Sequence, residues 1–169
     1  MSPPAAVQFN WLDYVLLAFL AAVAGVQFLR CIRDFSRVFY ETVFVVGAVA
    51  AASALVRPLT GVTRFPAPLL FGGVGVVLVA VGLLLAAFAN GFAPFGLGLF
   101  SYVFGLFFAV GCAYALGHLA LRTADMAIAP HNHAFAVIVH HSLVAQDMLY
   151  FRTFIEVRAA LRFARWKGM

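Results

Sequence analysis

Four long apolar runs, about Trp11–Leu29, Val38–Val56, Pro68–Ala89 and Gly96–Leu121, constrain this chain more than any other feature. Each has the length, roughly 20 residues, that a helix needs to cross the hydrocarbon of a bilayer. Between them they hold half of a 169-residue chain in which only 10% of residues are charged, against about 25% in soluble domains. These runs predict an all-α integral membrane protein. Residues 1–122 form a bundle of four transmembrane helices, and residues 123–169 a basic, partly amphipathic or interfacial C-terminal helical segment. The first run is read as an uncleaved anchor, because MSPPAAVQFN has no basic start and shows no small-residue cleavage pattern.

The ends of the runs carry the punctuation. Trp11 and Tyr14 fall where a span meets the interface, the usual place for amphipathic aromatics. Asp13 is expected there to be half-solvated and favoured by the positive end of its helix. Arg30, Arg33, Asp34 and Arg37 form a polar hinge into the second span. At helical spacing Asp34 is within reach of Arg30 or Arg37, and Glu41 of Arg37. The stretch RPLTGVTRFPAP reads as a loop and NGFAPFG as a tight hairpin, on their turn-forming residues. Counting Lys and Arg puts both termini inside, whereas the first span taken alone gives the opposite orientation.

In the fourth run Ser101, Gly105, Ala109, Ala113 and Gly117 recur at every fourth residue. Such a strip lets another helix backbone approach closely, within one bundle or at a seam with a second copy or another subunit. Beyond Pro130, Asn132 is placed to cap a new helix that little interrupts before Gly168. On it Arg158, Arg162 and Arg165 share a stripe flanked by Phe154 and Leu161, a pattern suited to anionic lipid headgroups or a docking partner.

Chemistry is sparse. Of the five histidines, His133 and His140 share a face with Asp147 at heptad spacing, about 10.5 Å per step and too far apart for one metal ion. His118 lies inside the fourth run, where it is either an axial ligand for haem or chlorophyll or, more in keeping with its neighbours, a hydrogen-bonded helix tie. Gly72-Gly73-Val74-Gly75 lacks the Lys-Ser/Thr ending of a phosphate loop, and Ser142 has no nucleophile elbow around it. Nothing here points to an enzyme, a metal, a required cofactor or nucleic acid. Cys31 and Cys112 form no CxxC pair.

The lead-in "NWLDYVLL", the arginine at Arg30 and the Arg33-Asp34 pair resemble the colicin V production protein family. "FGLFFAV", Phe104 to Val110, is similar to the start of that family's last span. The pattern departs from the family at Cys31, where a glycine is usual, and at Gly96–Phe100, where an Asp-Arg pair is usual. The resemblance implies a four-span inner-membrane protein, bacterial or mitochondrial, linked to export or envelope homeostasis and without established catalysis. Asp13, Arg30, Arg33 and Asp34 are then its signature charges. The functional expectation is a structural or accessory subunit of a larger, possibly energy-transducing, membrane assembly, with other subunits and anionic lipids as partners. A self-assembling transport or channel protein, and a pigment- or haem-bearing subunit using His118, are the alternatives.

Overall fold

The computed structural model describes residues 9–63 and 65–150, with only the backbone of Arg57. Among the described residues six helices follow one another: α1 Trp11–Arg33, α2 Phe35–Val62, α3 Ala67–Phe92, α4 Phe100–Ile128, α5 His133–His141 and α6 Leu143–Tyr150. The first four are long and apolar enough to cross a membrane. The chain is therefore an all-α integral membrane protein with four spans.

The spans alternate in direction. Gly105 of α4 faces Cys31 near the end of α1, while Gly117 faces Phe19 near its start, so α1 and α4 are antiparallel. Along α3, Gly72 meets Thr123 and Gly75 meets Leu119 of α4, again antiparallel. Ser36 of α2 bonds Asn90 at the end of α3, which makes α2 and α3 a hairpin. One end of the bundle, called here the hinge end, thus gathers the α1–α2 corner and the α3–α4 loop. The opposite end gathers the start of α1, the end of α4, and α5 with α6. At about 13 Å each, α5 and α6 are too short to cross, and they pack on that end instead.

The core is assembled from small residues and branched side chains. Val45, Val49, Ala52 and Val56 of α2 pack with Phe71 of α3 and with Cys112, Ala115 and Leu119 of α4. Lipid tails are as apolar as leucine, so burial alone does not drive these helices together, and close packing must do so. Gly105 and Gly117 serve this need: a side chain there would collide with Cys31, and with Met148 and Phe19. Phe100, Phe104 and Phe107 point away from the bundle, where lipid solvates them.

Several boundaries differ from those read in the sequence. The expected loop RPLTGVTRFPAP is mostly helix, since α2 runs through Pro58 to Val62. Proline removes one backbone donor and crowds the preceding turn, but in a membrane span neighbouring groups re-satisfy the freed carbonyl. The spans also extend past the apolar runs, α3 to Phe92 and α4 to Ile128, because helix ends reach into the polar interface. The turn between α3 and α4 has Gly98 at φ 58°, a left-handed conformation that suits glycine. The helix that Asn132 does cap, accepting from the Phe135 N–H, ends at His141 rather than continuing. Ser142 is extended there, so the heptad face of His133, His140 and Asp147 does not exist.

Candidate functional site

Asp13 departs furthest from expectation. It is fully buried rather than half-solvated. At the third position of α1, its Oδ2 accepts from the Asn10 N–H at 2.6 Å, closing a capping box. Its Oδ1 accepts from the Ser142 hydroxyl and from the Val144 N–H, both at 2.7 Å. One carboxylate therefore caps two helices, α1 from within and α6 from across the bundle. The Asn10 amide donates to the Ile138 carbonyl at 3.0 Å and completes the knot with α5. This pull explains the break at Ser142: the chain leaves helical geometry there to present a hydroxyl and an amide to Asp13.

His118 lies one helix away and is also buried. Its Nδ1 is 2.6 Å from the Met148 carbonyl of α6, and its ring stands edge-on to Phe71. Arg122, a turn further along, lies over the Phe71 ring, its guanidinium carbon 5.5 Å from the ring centre. In this arrangement His118 ties α4 to α6. Tyr114 adds a second tie, donating to Asp147 at 2.8 Å.

The hinge end holds a longer polar chain. Asp34 does not pair with arginine: it caps α2 by accepting from the Arg37 N–H, and it accepts from Ser36 and from the Asn90 amide. The arginines converge on Glu41 instead, Arg30 at 2.6 Å and Arg37 at 3.1 Å on the same Oε1. Glu41 is better placed because, two turns further along α2, it faces α1, whereas Asp34 occupies the corner itself. Arg30 also donates to Gln27 at 3.0 Å, and the Gln27 amide lies 3.6 Å from the Cys112 sulfur. With about 1.5 Å of rise per residue, Gln27 sits roughly 9 Å in from the Arg33 end of α1 and Cys112 roughly 18 Å in from the Phe100 end of α4. The polar chain thus enters the apolar bundle from one side. Glu41 Oε2 is buried with no partner among the described residues.

Beside this chain a cleft of about 460 Å³ opens between the α1–α2 corner and the α3–α4 loop. Arg33, Asp34, Ser36, Phe35, Phe95 and Tyr102 are among the residues that line it. Phe95 anchors the loop by packing edge-on to Phe35, Phe39 and Tyr40, and the Tyr40 hydroxyl donates to the Ala93 carbonyl at 3.1 Å.

The small-residue strip of α4 is occupied within the chain. Gly105, Ala109, Ala113 and Gly117 are buried and Ser101 is half-buried. Ser101 takes the Leu97 N–H on its hydroxyl and the Cys31 thiol on its carbonyl. Arg158, Arg162 and Arg165 lie outside the described residues. Among the described residues no group of three or more His, Cys, Asp or Glu is placed to hold a metal ion. Sequence reading missed Ser142, Gln27, Ser36 and Asn90 as structural partners. The one available signal was that each is a polar residue within or beside a strongly apolar run.

Together the fold and this interior define a four-span membrane bundle whose polar side chains bond from helix to helix. Comparison with protein-family models, with curated proteins and with solved structures finds no match.

Proposed function

We propose that the chain is a non-catalytic membrane protein of the colicin V production type, acting as a structural or accessory subunit of a larger inner-membrane assembly, bacterial or mitochondrial. The observation that carries this reading is the use made of its interior polar groups. Asp13, His118, Thr42 and Asn90 each bond a different helix from their own. Side chains spent in this way fix a shape and present no reactive group to a substrate. A bundle whose outer faces are built mainly of Val, Leu and Phe suits a subunit that fills a place among others.

The test is extraction from native membranes in mild detergent, sizing on a native gel and identification of co-migrating proteins. Migration within a multi-subunit complex supports the accessory role. A small species of this chain alone overturns it.

Glu41 favours a second reading, a self-assembling transport protein. A buried carboxylate oxygen without a partner, at the head of a polar chain that enters the bundle, is the kind of group that ion pathways use. Protein reconstituted into vesicles should then conduct, and Glu41→Gln should change the flux. Tight vesicles with wild-type protein dispose of that reading.

A further inference from the structure

We propose that the cleft at the hinge end binds a phosphate-bearing anion, the headgroup of a phospholipid, with Arg33 as the phosphate ligand. Three observations converge on it. The cleft lies at the level where spans end: it is walled by the last turn of α1, the first turn of α2 and the loop into α4. Tyr40 and Tyr102 sit at that same end, the depth of the interfacial aromatic belt and of lipid headgroups.

The second observation is how the charges are distributed. The Asp34 carboxylate already accepts bonds on both oxygens, from Ser36, Arg37 and Asn90. Arg30 and Arg37 are engaged by Glu41. The Arg33 guanidinium has no hydrogen bond or ion pair among the described residues and is exposed beside the cleft. The group left to meet a ligand is therefore a guanidinium, whose planar fork matches phosphate oxygens two at a time.

The third is the wall. Phe35, Phe95 and Tyr102 supply an apolar surface next to that cation, suited to the glycerol and upper acyl carbons of a lipid. The volume of about 460 Å³ falls in the roughly 300–1,000 Å³ range of ligand clefts and is too small for a whole lipid, whose tails would remain in the bilayer.

The full-length protein in detergent is titrated with phosphatidylglycerol and, separately, with sn-glycerol 3-phosphate, and binding is followed by native mass spectrometry. Four proteins are compared: wild type, Arg33→Gln, Tyr102→Ala, and Arg122→Gln as a matched loss of one positive charge at the opposite end of the bundle. The expected result is a loss of lipid affinity of about tenfold or more in Arg33→Gln, the size of one charge-assisted bond, with Arg122→Gln unchanged. Tyr102→Ala should weaken the lipid and spare glycerol phosphate. Glycerol phosphate binding as tightly as the lipid makes the soluble anion the ligand of the same site, whereas lipid binding alone makes the bilayer the source. Equal weakening in Arg33→Gln and Arg122→Gln, or no weakening in Arg33→Gln, overturns the site. Arg33 and Tyr102 are exposed, so their variants leave the packing of the bundle intact.

Discussion

Replacing Asp13 by alanine should detach the α5–α6 hairpin from the bundle before the four spans come apart. The carboxylate accepts three bonds of 2.6–2.7 Å, from Asn10, Ser142 and Val144. Alanine strands the Ser142 hydroxyl and the Val144 N–H beside a cluster made of Leu12, Leu121, Val139, Ala145, Met148 and Leu149. Each stranded donor costs about 1–3 kcal/mol, so the loss is about 2–6 kcal/mol, a large part of the stability of an ordinary domain. Asparagine keeps one acceptor but turns an amide N–H toward another donor, and should cost about 1–2 kcal/mol. Ser142→Ala should cost less on the Asp13→Ala background than on the wild type, because the bond to Asp13 is then already gone and only the cap that Ser142 Oγ accepts from the Ala145 N–H is lost. The assay is maleimide labelling of Ala145→Cys, a fully buried position, in protein whose Cys31 and Cys112 are replaced by alanine. Labelling should be slow with Asp13, fast with alanine and intermediate with asparagine, with the urea midpoint falling in the same order. An Asp13→Ala protein that unfolds at the wild-type midpoint and keeps position 145 protected refutes the double-cap account.

Other expectations follow from the same geometry. Gly105→Leu should destabilise the bundle by about 1–3 kcal/mol through collision with Cys31, read as a lower midpoint in detergent unfolding. His118→Ala should lower stability by about 1–3 kcal/mol through loss of the bond to Met148, with the visible absorption spectrum of purified protein the same in both forms. A haem or chlorophyll band present in wild type and lost in the variant contradicts that. A double-mutant cycle on Arg30→Gln and Glu41→Gln should give a coupling of about 1 kcal/mol or more, measured by the same unfolding, since Glu41 is 5% exposed and shares one oxygen with both arginines. Gly98→Ala, at φ 58°, should cost about 1 kcal/mol with no change at the opposite end of the bundle.

The spans were legible because crossing a bilayer sets a minimum apolar length, and few alternative folds are compatible with four such runs. The small-residue strip of α4 was legible for a similar reason, as its four-residue period is the period of one helix face. What it meets, Cys31 at one end and Phe19 with Met148 at the other, was not, because partner choice depends on how α1 and α6 are placed in space. Pro58 misled because proline and glycine mark loops in water, while a membrane span tolerates them. Asp13 misled for a different reason. Its position near a helix start is visible in the sequence, but its partners Ser142 and Val144 lie far along the chain and carry no motif that points back.

The distribution of polar groups bears on why such a chain holds one shape at all. Apolar helices in lipid gain little by touching each other, so many arrangements of four smooth spans would be nearly equal in free energy. Two devices separate one arrangement from the rest. Glycines at positions 75, 82, 105 and 117 admit specific neighbours, Leu119, Phe44, Cys31 and Met148, and a slip of one residue would set side chains against side chains. Polar ties then fix depth: Thr42 donates to the Phe108 carbonyl, and Gln27 reaches Cys112. Both act within the hinge-end half of the bundle, while Asp13 and His118 act at the opposite end. A bundle pinned at both ends resists sliding along either axis, whereas its outer faces, built of Val, Leu and Phe, accept change as long as they stay apolar. Selection on such a bundle should therefore fall hardest on a few buried polar and glycine positions, and lightly on the large hydrophobic side chains of its outer faces.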